Sequence, residues 1–244
     1  MSQVEISIIM PAFNAAKFIG QSIRSVISQS FQSWELIIVN DGSKDITSDV
    51  VSVFANYESK IKYLEQKNKG VARARNLGLR NASGKYIVFL DSDDVWDDNF
   101  LKKTYDCLQK YPLVFSKYRI IDRSGSLRPR FGRRSGSVTT RQIVTNNPIG
   151  TLTVGVRRDI LADDYFDTRF YGTEDWDLWI RLSKKHSWYF ADFCAANYRV
   201  HAAGISKNAL RMYNQELSVL REHNVNRKSA YLLLRLRLLK RLIS

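Results

Sequence analysis

Apolar runs and helical-period segments take turns along the first part of the chain. Ile6–Met10, Trp34–Val39, Ile61–Leu64 and Tyr86–Leu90 are short apolar runs, each predicting a strand. The last is continuous rather than alternating, as in a strand buried on both faces. Between the runs the period changes. Phe18, Ile19, Ile23, Val26 and Ile27 recur at helical spacing, Val50, Val51 and Phe54 give a second helix its apolar side, and Gly70 precedes a third helix over 71–80. Asn40-Asp41-Gly42-Ser43 is turn chemistry, with Ser43 or Asp45 available to cap the helix behind it. This alternation predicts a mostly parallel sheet with helices on both faces. The polar ends of the first, second and fourth strands are Pro11-Ala12-Phe13-Asn14, Asn40-Asp41-Gly42 and Asp91-Ser92-Asp93. They then share one sheet edge, where open α/β sheets bind ligands.

Beyond residue 98 the pattern is less regular. A helix is expected to about Lys110, a strand over Leu113–Ile121, a mobile Arg/Gly/Ser loop over Asp122–Ser137, a short helix over Thr139–Val144 and a strand over Ile149–Val156. Glu174–Lys185 predicts a Trp-bearing helix whose acidic first turn suits the helix dipole. Trp188–Phe190 and Asn197–Val200 read as two short strands, and the chain is helical and basic from Lys207. A composition change near residue 112 divides one domain into a nucleotide-type half, 1–110, and an acceptor-type half, 111–205, followed by a basic helical tail, 206–244. On a helical wheel Leu232, Leu236, Leu238, Leu239, Leu242 and Ile243 share one side of that tail. Arg237, Lys240, Arg241 and Ser244 share the other, with Arg235 out of pattern. Such a helix lies on an anionic membrane surface, or it packs on its own domain or on the second subunit of a homodimer.

Lys and Arg number 38 against 24 Asp and Glu, a net charge of +14. The excess calls for an anionic partner: nucleic acid, an anionic membrane or a phosphorylated substrate. It is concentrated in the loop and the tail, without the interleaved basic and aromatic motifs of nucleic-acid-binding modules, which argues against nucleic acid. Cys107 and Cys194 match no metal or redox spacing, so reduced core thiols are expected. The first residues carry no basic region leading into an apolar core, and no apolar run reaches transmembrane length. The expectation is a cytoplasmic protein, free or peripheral on the inner face of the cell membrane.

Three carboxylates in four positions, Asp91, Asp93 and Asp94, follow the fourth strand. In an extended segment Asp91 and Asp93 point the same way. Two anions so close repel each other unless one is protonated or a cation lies between them, and carboxylate oxygens suit a hard ion such as Mg²⁺ or Mn²⁺, which also binds phosphate. The plainer alternative is a solvated loop with Asp94 or Asp97 capping the next helix. Neither a G-x-x-x-x-G-K-[ST] loop nor a G-x-G-x-x-G after the first strand is present, which leaves metal and carboxylate as the route to phosphate. Arg73, Asn76 and Arg80 lie on one face of the 71–80 helix, with Arg75 on another; Arg73 balances a diphosphate or is simply solvated. Asp41 is a turn residue or an acceptor for a base or ribose. Glu174-Asp175 is a helix-start pair or a general base, since neighbouring Trp rings raise a carboxylate's pKa. His201 is a structural histidine or a metal ligand. His186 and His223 stand in no pattern.

In order along the chain come Ser7-Ile-Ile-Met-Pro11-Ala-Phe-Asn14, Val39-Asn-Asp41-Gly-Ser43, Gly70-Val-Ala-Arg73-Ala-Arg-Asn76-Leu-Gly78, Phe89-Leu-Asp91-Ser-Asp93-Asp94 and Glu174-Asp175-Trp-Asp-Leu-Trp179. Together they resemble the family-2 glycosyltransferases of the GT-A fold, especially bacterial enzymes of surface-polysaccharide assembly. The likeness is close over 5–98 and returns over 170–204, whereas 112–168 carry no recognised motif. It implies a Rossmann-like, mostly parallel α/β sheet flanked by helices. It implies an inverting transfer of sugar from a nucleotide-diphosphate donor, UDP-linked, to a hydroxyl of a glycan or lipid-linked acceptor. Pro11, Ala12, Phe13, Asn14 and Asp41 would hold base and ribose, and Arg73 would lie near the base or diphosphate. Asp91-Ser92-Asp93 would be the DXD motif, Asp93 ligating Mn²⁺ or Mg²⁺ and Asp91 touching ribose or metal-bound water. Asp175 would be the general base and His201 a diphosphate or metal contact. A nucleotidyltransferase, which also sets paired carboxylates on an α/β sheet, and a basic nucleic-acid-binding protein are the rival readings.

Overall fold

A computed structural model describes residues 4–122, 127–128, 136–161, 165–201, 208–225 and 228–243. Strands form where the apolar runs lie: β1 Ile6–Ala12, β2 Trp34–Asn40, β3 Ile61–Glu65 and β4 Tyr86–Phe89, joined by α1 Ile19–Ile27, α2 Thr47–Tyr57 and α3 Val71–Arg80. β1 pairs in parallel with both β2 and β4, and β2 with β3. The spatial order β3-β2-β1-β4 therefore reverses direction at β1, which opens a crevice at the C-terminal ends of β1 and β4. Alternate residues of each strand go to opposite faces. Ile9, Ile37, Ile87 and Phe89 pack with Ala72, Ala74 and Leu79 of α3, while Ile8, Met10, Leu36, Ile38 and Val88 pack with Ile19, Ile23 and Val26 of α1. Both faces are covered, so the strands have to be apolar throughout. α3 crosses β1 at Gly78, where a Cβ would come within 2.7 Å of Ile9 Cγ2. Glycine permits that approach and holds the helix against the crevice.

The same sheet continues. After β5 Val95–Trp96 and α4 Phe100–Leu108 come β6 Leu113–Ile121, β7 Leu127–Arg128, β8 Gly136–Val138, α5 Thr140–Asn146, a 3-10 turn at Thr151–Thr153, β9 Gly155–Arg157 and α6 Arg158–Leu161. α7 Glu174–Lys185, β10 Trp188–Arg199, α8 Ala209–Glu222 and α9 Lys228–Ile243 follow. β9 runs antiparallel to β4 and β6, β10 runs parallel to β6, and the order becomes β3-β2-β1-β4-β9-β6-β10-β5. This is the mixed α/β, mostly parallel architecture that the alternation predicts.

Several local expectations change. Ile149–Val156 is not one strand: Thr153 donates its hydroxyl to the Gly150 carbonyl at 2.7 Å, which closes the 3-10 turn before β9 begins. Trp188–Phe190 and Asn197–Val200 belong to the single strand β10 and its end. Its register against β6 shifts twice, between Ala191 and Cys194 and between Cys194 and Asn197, and these bulges break the apolar alternation. Within the expected loop 122–137, Leu127–Arg128 pair with β6 and Gly136 onward with β10; most of the rest lies outside the described residues. Thr139 is the N-cap of α5, in a capping box with Gln142. Before α2 it is Asp45 that accepts the Thr47 N–H, at 3.0 Å. Cys107 and Cys194 are free thiols, half-buried.

α9 buries Ala230 and Leu234, and Arg237 donates to the Thr145 carbonyl at 3.1 Å and lies 3.8 Å from Glu216. Arg237 thus faces the protein, against the helical wheel. Leu232, Leu236 and Leu239 stay exposed, with Arg235 on the same side at i+3 from Leu232. Among the described residues no helix is long and apolar enough to cross a membrane.

Candidate active site

The ends of β1 and β2 are joined by the sheet itself, for the Ala12 carbonyl accepts the Asp41 N–H at 2.8 Å. Pro11 and Ala12 are buried at that junction. Phe13 is 47% exposed at the crevice mouth. Asn14 takes a φ of 47°, a left-handed conformation that asparagine tolerates. Its N–H donates to Ser43 Oγ at 2.9 Å and its Oδ1 accepts the Lys44 N–H at 2.8 Å, so Phe13 stands on a fixed loop. Asp41 is buried, and its carboxylate accepts from Gln66 Nε2 at 2.7 Å and from the Lys69 and Gly70 N–H groups, each at 2.8 Å. These bonds shape the loop that starts α3. Arg73 and Arg80 line a cleft of about 360 Å³ with Gln66, Lys69, Asn76 and Thr168. Asn76, by contrast, is buried and bound through both ends of its amide to the Phe166 backbone, at 2.8 and 2.9 Å.

The acids after β4 do not lie on an extended strand. Asp94 N–H donates to the Asp91 carbonyl at 3.1 Å, which closes a turn with Ser92 and Asp93 at its centre. This corrects the expectation that Asp91 and Asp93 share a direction. Asp91 Oδ1 accepts from Arg75 Nη2 at 2.7 Å, while Asp93 Oδ2 lies 2.7 Å from His201 Nε2. Asp94 is buried and accepts the Arg199 N–H at 2.8 Å. The Arg199 guanidinium donates to the Asp93 carbonyl at 2.8 Å and to Gln21 Oε1 at 2.9 Å, which ties the turn to α1 and to the end of β10. Neither Asp94 nor Asp97 caps α4: its N-cap is Asn99, and the Asp97 carboxylate is bonded by Arg119 and Asn197.

Arg75 is the residue that sequence reasoning set aside. It is 4% exposed, and its Nη1 donates to Glu174 Oε1 at 2.7 Å while Nη2 holds Asp91. One guanidinium therefore joins the turn after β4 to the first turn of α7. Burial works against its charge, but Asp91, Glu174 and Asp175 outweigh it and its pKa is raised. A signal was present in the helix pattern. Ala72, Arg75, Asn76 and Leu79 share the buried stripe of α3, and an arginine there demands a buried anion.

Asp175 is half-buried beside this pair. Its Oδ2 accepts the Thr151 hydroxyl at 2.6 Å and its Oδ1 the Trp176 N–H at 2.6 Å. Burial raises its pKa, with Thr151 and Arg75 pulling the other way. Burial likewise raises Glu174 against the pull of Arg75. It raises Asp93, helped by the charge of Asp91 and opposed by His201, and it pushes Asp94 well up. His223, which stood in no pattern, lies 2.9 Å from Asp177 Oδ1 and 3.0 Å from Lys184 Nζ, and so pins α8 to α7.

Asp91 Oδ2 and Asp93 Oδ1 are bonded to no other side chain among the described residues. Oxygen donors of this kind suit Mn²⁺ or Mg²⁺, and a cation relieves the repulsion that loads Asp93. Among the described residues no group of three or more His, Cys, Asp or Glu is arranged to hold an ion, and His201 Nε2 is engaged with Asp93. The chemistry of these oxygens suits such an ion, with phosphate and water supplying most of its positions.

A family model described as Glycosyl transferase family 2 matches residues 7–176. The chain is 35% identical over 225 residues to the UDP-Glc:alpha-D-GlcNAc-diphosphoundecaprenol beta-1,3-glucosyltransferase WfgD of Escherichia coli, covering 90% of this chain and 87% of the relative. It is 33% identical over 222 residues to the putative teichuronic acid biosynthesis glycosyltransferase TuaG of Bacillus subtilis (strain 168), covering 89% and 87%. In fold it is similar to the mannosyltransferase PcManGT from Pyrobaculum calidifontis in complex with GDP-Man and Mn²⁺, with a TM-score of 0.73 at 16% identity, covering 96% of this chain and 69% of that one.

Proposed function

The chain belongs to glycosyl transferase family 2, and we propose on that footing that it performs an inverting transfer of a sugar from a UDP-linked donor to a hydroxyl of a glycan or lipid-linked acceptor, in the assembly of a cell-surface polysaccharide. The donor and acceptor named for WfgD, and the polysaccharide named for TuaG, support this choice. In this reading residues 1–110 bind the donor, 111–205 receive the acceptor and 206–244 form an accessory tail. The observation that carries the proposal is Arg75, whose two 2.7 Å bonds set the Asp91 turn against the Glu174-Asp175 pair. Transfer needs a diphosphate site and a base within one crevice, and this bridge supports reading Asp91 and Asp175 as parts of one.

Exposed Phe13 is suited to stack on the base, with Pro11, Ala12, Asn14 and Asp41 shaping the loops around base and ribose. Arg73, on the cleft wall, is suited to contact the base or diphosphate. Asp93 would ligate Mn²⁺ or Mg²⁺, with Asp91 and Ser92 at the ribose or at metal-bound water. His201 would act as a further metal or diphosphate contact once it released Asp93. A bound divalent ion would offset the charge of the departing diphosphate; the Mn²⁺ in PcManGT is consistent with that. Asp175 would take the proton from the acceptor hydroxyl as its oxygen attacks the anomeric carbon. Its raised pKa brings a carboxylate closer to the acceptor's demand for a base. The exposed face of α9, with Leu232, Leu236, Leu239 and Arg235, suits the surface of an anionic membrane that holds a lipid-linked acceptor.

Asp175→Asn tests the reading. Turnover with UDP-glucose and a lipid-diphosphate N-acetylglucosamine acceptor should fall by roughly 10²–10⁴-fold, while calorimetric affinity for UDP stays within about threefold of the parent. Near-normal turnover would remove Asp175 from the role of base.

A further inference from the structure

We infer that Thr151 is a positioning residue for Asp175, its hydroxyl fixing the plane of the carboxylate from a turn anchored on the other half of the sheet. The inference rests on the reading of Asp175 as the base. Residues 112–168 carry no recognised motif, and Thr151 lies within them. Its hydroxyl donates to Asp175 Oδ2 at 2.6 Å, and Thr151 is 8% exposed.

The turn that carries it is held from three sides. Thr153 donates its hydroxyl to the Gly150 carbonyl at 2.7 Å, and the Val154 N–H donates to the Thr151 carbonyl at 3.1 Å. The Leu152 carbonyl accepts the indole N–H of Trp96 at 2.8 Å, and Trp96 stacks on Phe100 with ring centroids 4.2 Å apart. Gly150 has no room for a side chain, since a Cβ would come within 2.9 Å of the Tyr118 ring. Trp96 lies in β5, directly after the acidic turn. The 3-10 turn therefore links the strand behind Asp91–Asp94 to Asp175 in the first turn of α7, independently of Arg75.

The geometry says what the hydroxyl does. Asp175 Oδ1 is held by the N–H of Trp176, which moves with the same helix turn. That bond alone does not stop the carboxylate from turning about its Cβ–Cγ axis, a soft terminal torsion. A second donor on the other oxygen, fixed to a different part of the fold, sets the plane. Each oxygen keeps a lone pair for an acceptor hydroxyl. The same bond favours the ionised form, and Thr151 is among the groups that hold the Asp175 pKa down against burial.

Thr151→Val keeps the shape and removes the donor, while Thr151→Ser keeps the donor. The Asp175 side-chain carboxyl is followed by ¹³C NMR against pH, its signal identified by its loss in Asp175→Asn. Thr151→Val should raise the midpoint by about one pH unit, and Thr151→Ser should leave it near the parent. With UDP-glucose and a lipid-diphosphate N-acetylglucosamine acceptor as probes, Thr151→Val should lower kcat about tenfold, leave the donor KM within about twofold and move the acid limb of the rate profile upward. Thr151→Ser should restore all three. An unchanged midpoint in Thr151→Val overturns the inference. So does equal impairment of the valine and serine variants, which would mean that turn shape matters and the hydroxyl does not. If Asp175→Asn transfers sugar normally, the base reading fails instead. The titration needs no acceptor and separates the two failures.

Discussion

Replacing Arg75 with methionine tests how charge is balanced across the crevice. Arg75 is 4% exposed and makes two charge-assisted bonds of 2.7 Å. Glu174 is as buried, at 3%, and its Oε2 has no hydrogen-bond partner among the described residues. Methionine fills similar space but leaves that carboxylate unpaired. Removing one partner of a buried ion pair destabilises by about 3–5 kcal/mol, which for a chain of this size lowers Tm by roughly 6–20 °C. Glu174 can escape part of the penalty by binding a proton, and burial has already raised its pKa. The sign follows. Without Arg75 the folded chain holds that proton more tightly than the unfolded chain, so stability recovers as pH falls and worsens as pH rises. Thermal unfolding of the parent, Arg75→Met, Glu174→Gln and the double variant, at about pH 5.5 and about pH 8, reads both effects. The double variant lacks the stranded charge and should be more stable than the sum of the single losses allows, by at least about 1 kcal/mol. Additive losses, or a deficit that deepens on acidification, would refute the charge-bridge account.

Glu35 accepts from the Ser7 hydroxyl and from Ser83, and it pairs with Lys62 at 2.6 Å; these contacts outweigh burial and lower its pKa to about 2. A depressed folded pKa stabilises above the unfolded value and is lost as pH falls toward the folded one. Glu35→Gln should therefore cost about 2 kcal/mol at neutral pH, after allowance for solvent around half-exposed Lys62. It should also flatten acid unfolding between about pH 5 and about pH 2; a profile like the parent's would contradict this. Asp93→Ala should remove the Mn²⁺ dependence of UDP binding in calorimetry, and an undiminished dependence would exclude Asp93 as ligand. Replacing Leu232, Leu236 and Leu239 together with serine should reduce sedimentation with phosphatidylglycerol vesicles severalfold while leaving Tm almost unchanged, because the three are exposed. Unaltered sedimentation would exclude the membrane role, and loss of a dimer on a sizing column would make the face a subunit contact.

The sheet edge was legible because its information is local. Strands of one apolar run each, and turns such as Asn40-Asp41-Gly42, announce themselves within a few residues. α3 and α7 fall on the ranges that helical periodicity predicts. What lies between the halves was not legible, since its partners are far apart in the chain. Arg75 meets Glu174 across 99 positions and His223 meets Asp177 across 46. β10 reads as two strands in the sequence because its bulges put successive apolar residues out of phase. The turn at Thr151 reads as strand in the sequence because β-branched residues favour strands, while the hydroxyl bonds that close it have no signature in composition.

Net charge proved a poor guide to the crevice. The chain carries +14, yet Asp91, Asp93, Asp94, Glu174 and Asp175 meet there with Arg75 and Arg199 as the guanidinium groups among them. Both of those arginines are spent on the protein itself: Arg75 on two carboxylates, Arg199 on carbonyls and Gln21. Neither offers an open fork to a phosphate. Asp94 is buried, and burial together with the charges of Asp93 and Asp91 pushes its pKa well up. Among these described groups the acids outnumber the two guanidinium groups, and an anionic diphosphate would be repelled from the turn itself. Mobile counter-ions screen that repulsion only over several ångströms. A divalent ion between carboxylate and phosphate cancels it at contact distance. The case for Mn²⁺ or Mg²⁺ at Asp93 thus rests on charge balance across the whole turn, with the short acidic motif as its most visible part.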